Sequence, residues 1–234
     1  MKTGRSSWWN LVTFLSLIGL SLLSSASVKA QEWARFRGVN GGGQSSVGDL
    51  PTRWSESENL VWKLDLPGEG SSSPVIGGDR IFVTCSSAPA GDRRFPKRLL
   101  VSVDAVNGKV LWSAEAPDPE REDPAQGYLL EHGYASNSAA TDGRAVYAFF
   151  GKSGVVAYDM DGRKLWEVSV GSESSNRQWG SAASVTLLDE FVIINAAEEG
   201  RAVLALHRDD GRVRSEEHTS ELQSHHDLVC RLLL

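Results

Sequence analysis

The sequence predicts an all-β fold, a β-propeller of four-stranded antiparallel blades, truncated to about three of them. Three observations predict it. Stretches beginning at Ser71, Asn137 and Ser181 follow one plan, with a period on the order of 50 residues, which is the length of a four-stranded blade. The first two copies carry an Asn-Gly or Asp-Gly pair and then a Trp at the same distance from the Gly, as Gly108 to Trp112 and Gly162 to Trp166. No segment after residue 30 shows the apolar spacing of a helix.

Each blade begins with a small-residue strand and a turn, the turns being Gly77-Gly78-Asp79, Asp142-Gly143 and Leu188-Asp189-Glu190. The second strands are Arg80 to Cys85, Ala145 to Phe150 and Phe191 to Ala196, short β-branched or aromatic runs bounded by turn residues. Third strands follow at Leu99 to Asp104, Val155 to Asp159 and Ala202 to Leu206. Their nearly continuous apolar character suits burial on both faces between packed sheets. Asn107-Gly108 and Asp161-Gly162 are read as two-residue hairpin turns with both central residues at positive φ. Lys109 to Ala114 and Arg163 to Val168 are then the outer strands. Trp112 and Trp166 lie on these strands in register, where a large aromatic packs blade against blade. The structural repeat positions are Asp104, Gly108, Trp112, Asp159, Gly162, Trp166 and Gly211.

The two ends of the chain read differently. Lys2 and Arg5 precede an uncharged apolar run, Leu11 to Leu23, which is shorter than a spanning helix needs. Val28 and Ala30 fit a small-x-small cleavage pattern. Residues 1–30 are therefore expected to be a signal peptide, and the protein is expected to be periplasmic or extracellular. From Arg214 the sequence continues no pattern before it. Read back into codons, Arg214 to Ser224 and Asp227 to Leu234 resemble a common sequencing-library adapter, interrupted by an index at His225 and His226. Residues 214–234 are expected to be artefactual and are set aside from fold reasoning. Residues 31–58 are an entry segment and linker, including the Gly41 to Ser46 stretch, and residues 59–213 are the partial propeller.

Composition narrows the function. The 234 residues are 41% hydrophobic and carry a net charge of −6, which does not fit a binder of nucleic acid working through excess Lys and Arg. Two cysteines make no disulfide scaffold, and with the tail set aside only Cys85, His132 and His207 remain as soft or imidazole ligands. Cys85 lies on an apolar strand and reads as a small buried hydrophobe. The Gly-rich GGGQ lacks the Lys and helix start that a phosphate loop needs. Pro117 to Pro124 reads as a solvated acidic loop, and Asp92 to Arg98 as a small basic one. The loop around Glu131 contributes His132, Tyr134 and Asn137 as candidates for a loop surface facing a ligand or partner.

The units LVSVDAVNGKVLW and VVAYDMDGRKLW resemble the PQQ-like β-propeller repeat, an apolar run, Asp, a Gly turn and Trp. The third copy, VLALHRDDGRV, departs from it with His207-Arg208 in the Asp region. The resemblance extends to the opening WARFRG and LPTRWSESENLVWKLDLPG. It implies either a non-enzymatic scaffold of the BamB-like, outer-membrane assembly kind, or a quinoprotein oxidoreductase with pyrroloquinoline quinone (PQQ) and calcium. A carbohydrate-binding surface propeller is a third reading. The quinoprotein reading implies an adjacent Cys pair over the cofactor, which Cys85 alone does not supply. The expectation is therefore a scaffold with no cofactor and no catalytic residue in this segment. Its protein partners are held through loops or sheet edges, any membrane association runs through a protein complex, and the full-length protein is monomeric.

Overall fold

The computed structural model describes residues 33–218, apart from 39, 49 and 88–95. The signal segment read at 1–30, most of the basic loop at 92–98, and His225, His226 and Cys230 lie outside the described residues.

Three four-stranded antiparallel sheets follow one another along the chain. The first contains β1 (Val75–Gly77), β2 (Arg80–Ser87), β3 (Lys97–Asp104) and β4 (Val110–Glu115). The second contains β5 (Ala140–Thr141), β6 (Ala145–Phe149), β7 (Val155–Asp159) and β8 (Lys164–Val168). The third contains β9 (Thr186–Leu188), β10 (Phe191–Ala196), β11 (Ala202–His207) and β12 (Val213–His218). Strand order within each sheet is the order of the chain, the meander of a propeller blade.

Packing follows from side-chain alternation along the strands. Val75, Phe82 and Leu100 of the first blade meet Val146, Ala148, Val156 and Tyr158 of the second. Tyr147, Phe149, Val155 and Ala157 on the second blade's other face meet Val192, Ile194, Leu204 and Leu206 of the third. The middle strands are buried on both faces, which is why β3, β7 and β11 read as continuous apolar runs.

The hairpins differ from the two-residue turns read in the sequence. Gly108 and Gly162 have φ of 71° and 85°, but Asn107 and Asp161 do not share the positive φ. Asp104 instead accepts from the backbone N–H groups of Val106 and Asn107 through Oδ1, at 2.8 and 3.0 Å. Asp159 does the same for Asp161 and Arg163. These side-chain turns hold the intervening residues at ordinary φ and lengthen the loop, leaving the Gly alone in the left-handed region. In the third copy His207 replaces the Asp, and Asp210 accepts from Arg212 N–H instead. His207 stacks on Phe191 with ring centroids 4.9 Å apart.

After each Gly the outer strand enters with the same irregularity. Trp112 pairs with Ser102, Trp166 with Ala157, and Ser215 with Ala205, and in all three sheets the register shifts immediately beyond that pair. The bulge re-aims the outer strand so that the Trp turns toward the next blade. The indole N–H of Trp112 donates to the Met160 carbonyl at 2.8 Å, and that of Trp166 to the Arg208 carbonyl at 2.7 Å. A Cβ on Gly162 would stand 2.7 Å from the Trp112 ring, and one on Gly211 2.8 Å from the Trp166 ring. The glycines are therefore needed both for their φ and for close approach of the ring.

Trp62, in the entry segment, repeats this contact. Its N–H donates to the Ala105 carbonyl at 3.1 Å, and a Cβ on Gly108 would stand 2.6 Å from its ring. Exposure alternates along residues 61–65 as it does along β4, and Trp62 and Leu64 cover Val83, Cys85, Leu99, Val101 and Val103. Residues 59–66 thus stand where the outer strand of a preceding blade would stand. Upstream, Trp33 bridges β1 at Ile76, and the Ala34 carbonyl accepts from Thr141 N–H at 2.9 Å. The segment around Trp33 therefore lies across the inner strands of the first two blades.

Two further features depart from the sequence reading. Tyr128–His132 form one turn of α-helix (α1) and Gly151–Ser153 a 3₁₀ turn, both too short to display an apolar period. β12 runs across the boundary read after Val213, because a strand ladder is made by backbone groups and needs no particular side chains.

Candidate functional site

A meander places its loops alternately at the two ends of the blade. The β1–β2 and β3–β4 turns, with their counterparts, share the end that carries the Trp contacts. The links between blades and the β6–β7 and β10–β11 turns share the opposite end. At that opposite end the connections converge on a small pocket of about 30 Å³ lined by ionisable side chains, among them Arg98, Glu122, Asp123, Lys152, Glu198 and Glu199.

Most of these charges are matched to one another. Arg98, buried at the start of β3, pairs with Glu122 and lies over the Tyr134 ring, its guanidinium carbon 5.1 Å from the centroid. Lys152, from the 3₁₀ turn of the second blade, reaches Asp123 at 2.8 Å and donates to Ser174 Oγ at 2.7 Å. Ser174 in turn donates to Asp123 Oδ1 at 2.6 Å. Buried ion pairs of this kind hold their geometry only because hydrogen bonds satisfy the remaining lone pairs. The acidic excursion Pro117 to Pro124, read as solvated, therefore turns inward at Glu122 and Asp123.

Glu199 differs from its neighbours. It is 2% exposed, and its Oε2 has no hydrogen-bond partner. Burial, with the nearby charge of Glu198 adding to it, pushes its carboxyl up to about 7. Burial likewise pushes the Tyr134 hydroxyl up to about 12, and that hydroxyl donates to the Asp123 carbonyl at 2.8 Å. Sequence reading missed Glu122, Asp123, Lys152 and Glu199, since each sits in a polar loop and only the fold brings them together.

The three loop candidates fall in different surroundings. Asn137 is 2% exposed, not at a surface, and donates through Nδ2 to the Ala183 carbonyl at 2.8 Å, tying the second blade to the third. Tyr134 is half-buried against Arg98. His132 closes α1, with Nε2 3.1 Å from the Trp179 carbonyl and Nδ1 2.6 Å from Ser136 Oγ. A carbonyl can only accept, so Nε2 carries a proton toward Trp179, while the Ser136 hydroxyl holds the ring's other nitrogen. The repeat positions Asp104, Gly108, Trp112, Asp159, Gly162, Trp166 and Gly211 all lie at the other end of the arc, in the turns and seams described above.

The described residues do not fit a quinone and calcium site. Cys85 is fully buried beneath Trp62 and Leu64, and burial pushes its thiol up to about 11, so it offers neither a paired sulfur nor a reactive thiolate. Among the described residues no three His, Cys, Asp or Glu side chains converge as a metal would require. Of the carboxylates that do cluster, Glu122 is taken up by Arg98 and Asp123 by Lys152. No helix among the described residues is long and apolar enough to cross a membrane.

Solved structures similar to this chain include two kinds of protein. BamB from Moraxella catarrhalis aligns at 17% identity with a TM-score of 0.42, covering 68% of this chain and 42% of that one. A quinohemoprotein alcohol dehydrogenase, ADHIIG from Pseudomonas putida HK5, aligns at 17% identity with a TM-score of 0.48, covering 80% and 26%. The quinohemoprotein alcohol dehydrogenase from Comamonas testosteroni aligns at 17% identity with a TM-score of 0.46, covering 64% and 21%. The chain therefore spans less than half the length of each of these proteins. No curated protein matches it. The family model described as outer membrane protein assembly factor BamB matches residues 22–230, nearly the whole chain, and with the repeated blades this chain belongs to that PQQ-repeat family.

Proposed function

We propose that this protein is an exported, non-enzymatic scaffold that acts in outer-membrane protein assembly by holding protein partners on its loops and blade edges. The observation that carries the reading is the way most polar groups of the loop end are spent, Glu199 Oε2 excepted. Arg98 answers Glu122, Lys152 and Ser174 answer Asp123, and Tyr134 donates to a carbonyl, so the cluster locks one blade to the next. A nucleophile or general base needs a free, positioned partner for a substrate proton, and these groups are committed to the fold. Family membership supports the same reading. The apolar leader at 1–30 supports export.

The quinoprotein reading would place its site in blades beyond the described residues. The two are separated in the full-length protein by adding quinone and calcium and following dye-linked alcohol oxidation. The expected outcome is no turnover, together with a fall in outer-membrane protein levels when the gene is deleted. Turnover, or unchanged outer-membrane protein levels, would overturn the scaffold reading.

A further inference from the structure

Beside the ionic cluster, two inter-blade connections meet at an exposed aromatic pair. Tyr128, on α1 between the first and second blades, and Trp179, between the second and third, stand edge to face with ring centroids 4.9 Å apart. They are 50% and 42% exposed. Arg177 lies over the Trp179 ring, its guanidinium carbon 4.6 Å from the centroid. Trp, Tyr and Arg are the side chains that carry most binding energy in protein interfaces, because they bring area and hydrogen bonds at little entropic cost.

The group is held in place from beneath. His132 Nε2–H donates to the Trp179 carbonyl, and Ser136 fixes the His132 ring through Nδ1. Gln126 donates to Gln178 Oε1 at 3.0 Å across the two connections. Gln178 itself has φ of 50°, a left-handed conformation that a side-chain-bearing residue adopts at a cost, and Gly180 follows at 74°. Leu129, buried under the turn, would stand 2.7 Å from a Cβ on Gly180. Left-handed residues thus flank Trp179 on both sides, and its ring stands at the surface.

The donors of this platform are unspent. Trp62, Trp112 and Trp166 each give their N–H to a carbonyl. Among the described residues, the Trp179 N–H and the Tyr128 hydroxyl have no hydrogen-bond partner, and Arg177 has no ion-pair partner. Three donors, one of them a cation, stand around an apolar surface with no acceptor supplied. The geometry points to Tyr128, Arg177 and Trp179 as a preorganised docking site for an acidic segment of a partner protein, with a carboxylate on Arg177 and an apolar side chain against the two rings. This inference rests on the scaffold reading and names the surface that reading requires.

The probe is a short capped, dye-labelled peptide of alternating Leu and Glu, titrated by fluorescence anisotropy against the full-length protein. Its Gln counterpart and chitohexaose serve as comparisons. Saturable binding of the Glu peptide is expected, weakened at least about tenfold by Arg177→Gln and by Trp179→Ala, and similarly weakened in the Gln peptide. Raising salt from about 50 to about 300 mM is expected to weaken it severalfold, since the contact is exposed. Arg177→Gln touches no buried group, so an unchanged melting profile keeps that arm interpretable if Trp179→Ala unfolds. Absence of saturable binding, equal binding of the Gln peptide, unchanged affinity in Arg177→Gln, or preferential binding of chitohexaose would overturn the assignment. Loss of the platform with outer-membrane protein levels intact rejects this surface alone, whereas quinone-dependent turnover rejects the scaffold reading whatever the peptide does.

Discussion

Glu199 sits where the β10–β11 turn of the third blade meets the 3₁₀ turn of the second, close enough that a Cβ on Gly151 would stand 3.0 Å from its Oε1. The charged groups facing it are Glu198 on its own turn, Lys152 on the second blade and Asp123 on the preceding connection. Lys152 favours the ionised form, but burial outweighs it and the carboxyl is raised from 4.5 to about 7. The folded state therefore binds this proton more tightly than the unfolded state does. The resulting stability is fully present below about 4.5 and is lost as pH rises through about 7. We expect Glu199→Gln to remove this loss, gaining about 3 kcal/mol on wild type at pH 8 relative to pH 5, a shift of that size being 1.36 kcal/mol per pKa unit. Urea unfolding of both proteins at the two pH values checks it, and parallel pH dependence would contradict it. None of this was legible in the sequence, where no motif or spacing singles out Glu198 or Glu199. Charge pairing across blades depends on loops more than 20 residues apart, as Lys152 and Asp123 are, and single-chain pattern carries no such information. Asp104 and Gly108 were legible because the turn they shape is local, and Trp112 because its place after the turn Gly repeats in register although its partner Met160 lies on the next blade.

The element that recurs is the outer strand with its bulge, its Trp and the Gly of the next blade's turn. Trp166 is 8% exposed and is both packed, against Tyr147 and Gly211, and hydrogen-bonded to the Arg208 carbonyl. Trp166→Ala is expected to cost about 3–5 kcal/mol, since it empties the seam. Trp166→Phe keeps most of the packing and loses the N–H, which is expected to cost about 1 kcal/mol. Trp62 makes the same contact from a segment with no β-ladder of its own among the described residues. Trp62→Ala is therefore expected to release residues 59–66 without melting the blades. Hydrogen exchange and limited proteolysis of that segment check the difference, and loss of protection throughout the first blade would count against it. The strands themselves were read correctly from alternation and turn residues, to within two residues at most ends. The turn type was not, because Asn-Gly and Asp-Gly favour a two-residue hairpin only when no upstream Asp competes for the backbone N–H groups. At Asp104 and Asp159 that competitor is present and wins.

Over the whole molecule, three blades cover one another only in part. The second is packed on both faces. The first has on its far face a single strand-like segment, residues 59–66, with Leu60 and Val61 47% and 86% exposed and Trp54 67% exposed beside it. The third has Phe191 and Ile193 half-buried on the face turned away from the second, and β12 forms an edge of its sheet. A closed propeller covers such faces and leaves only short, protected edges, whereas an unclosed arc presents apolar faces at both ends. Each end is complementary to the other in kind, because the outer strand of one blade is built to dock its bulge residue on the turn of the next. A second copy of the arc can therefore satisfy the first, and a third the second, in a head-to-tail contact that does not terminate by itself. Residues 31–234 expressed alone are accordingly expected to associate in a concentration-dependent way and to be cut by protease within the exposed stretch 50–61. The full-length protein, with further blades to cover both faces, is expected to remain monomeric. Sedimentation and mass-spectrometric mapping of the cut sites check the prediction. A monomeric segment that melts cooperatively would show that the two uncovered faces need no neighbour.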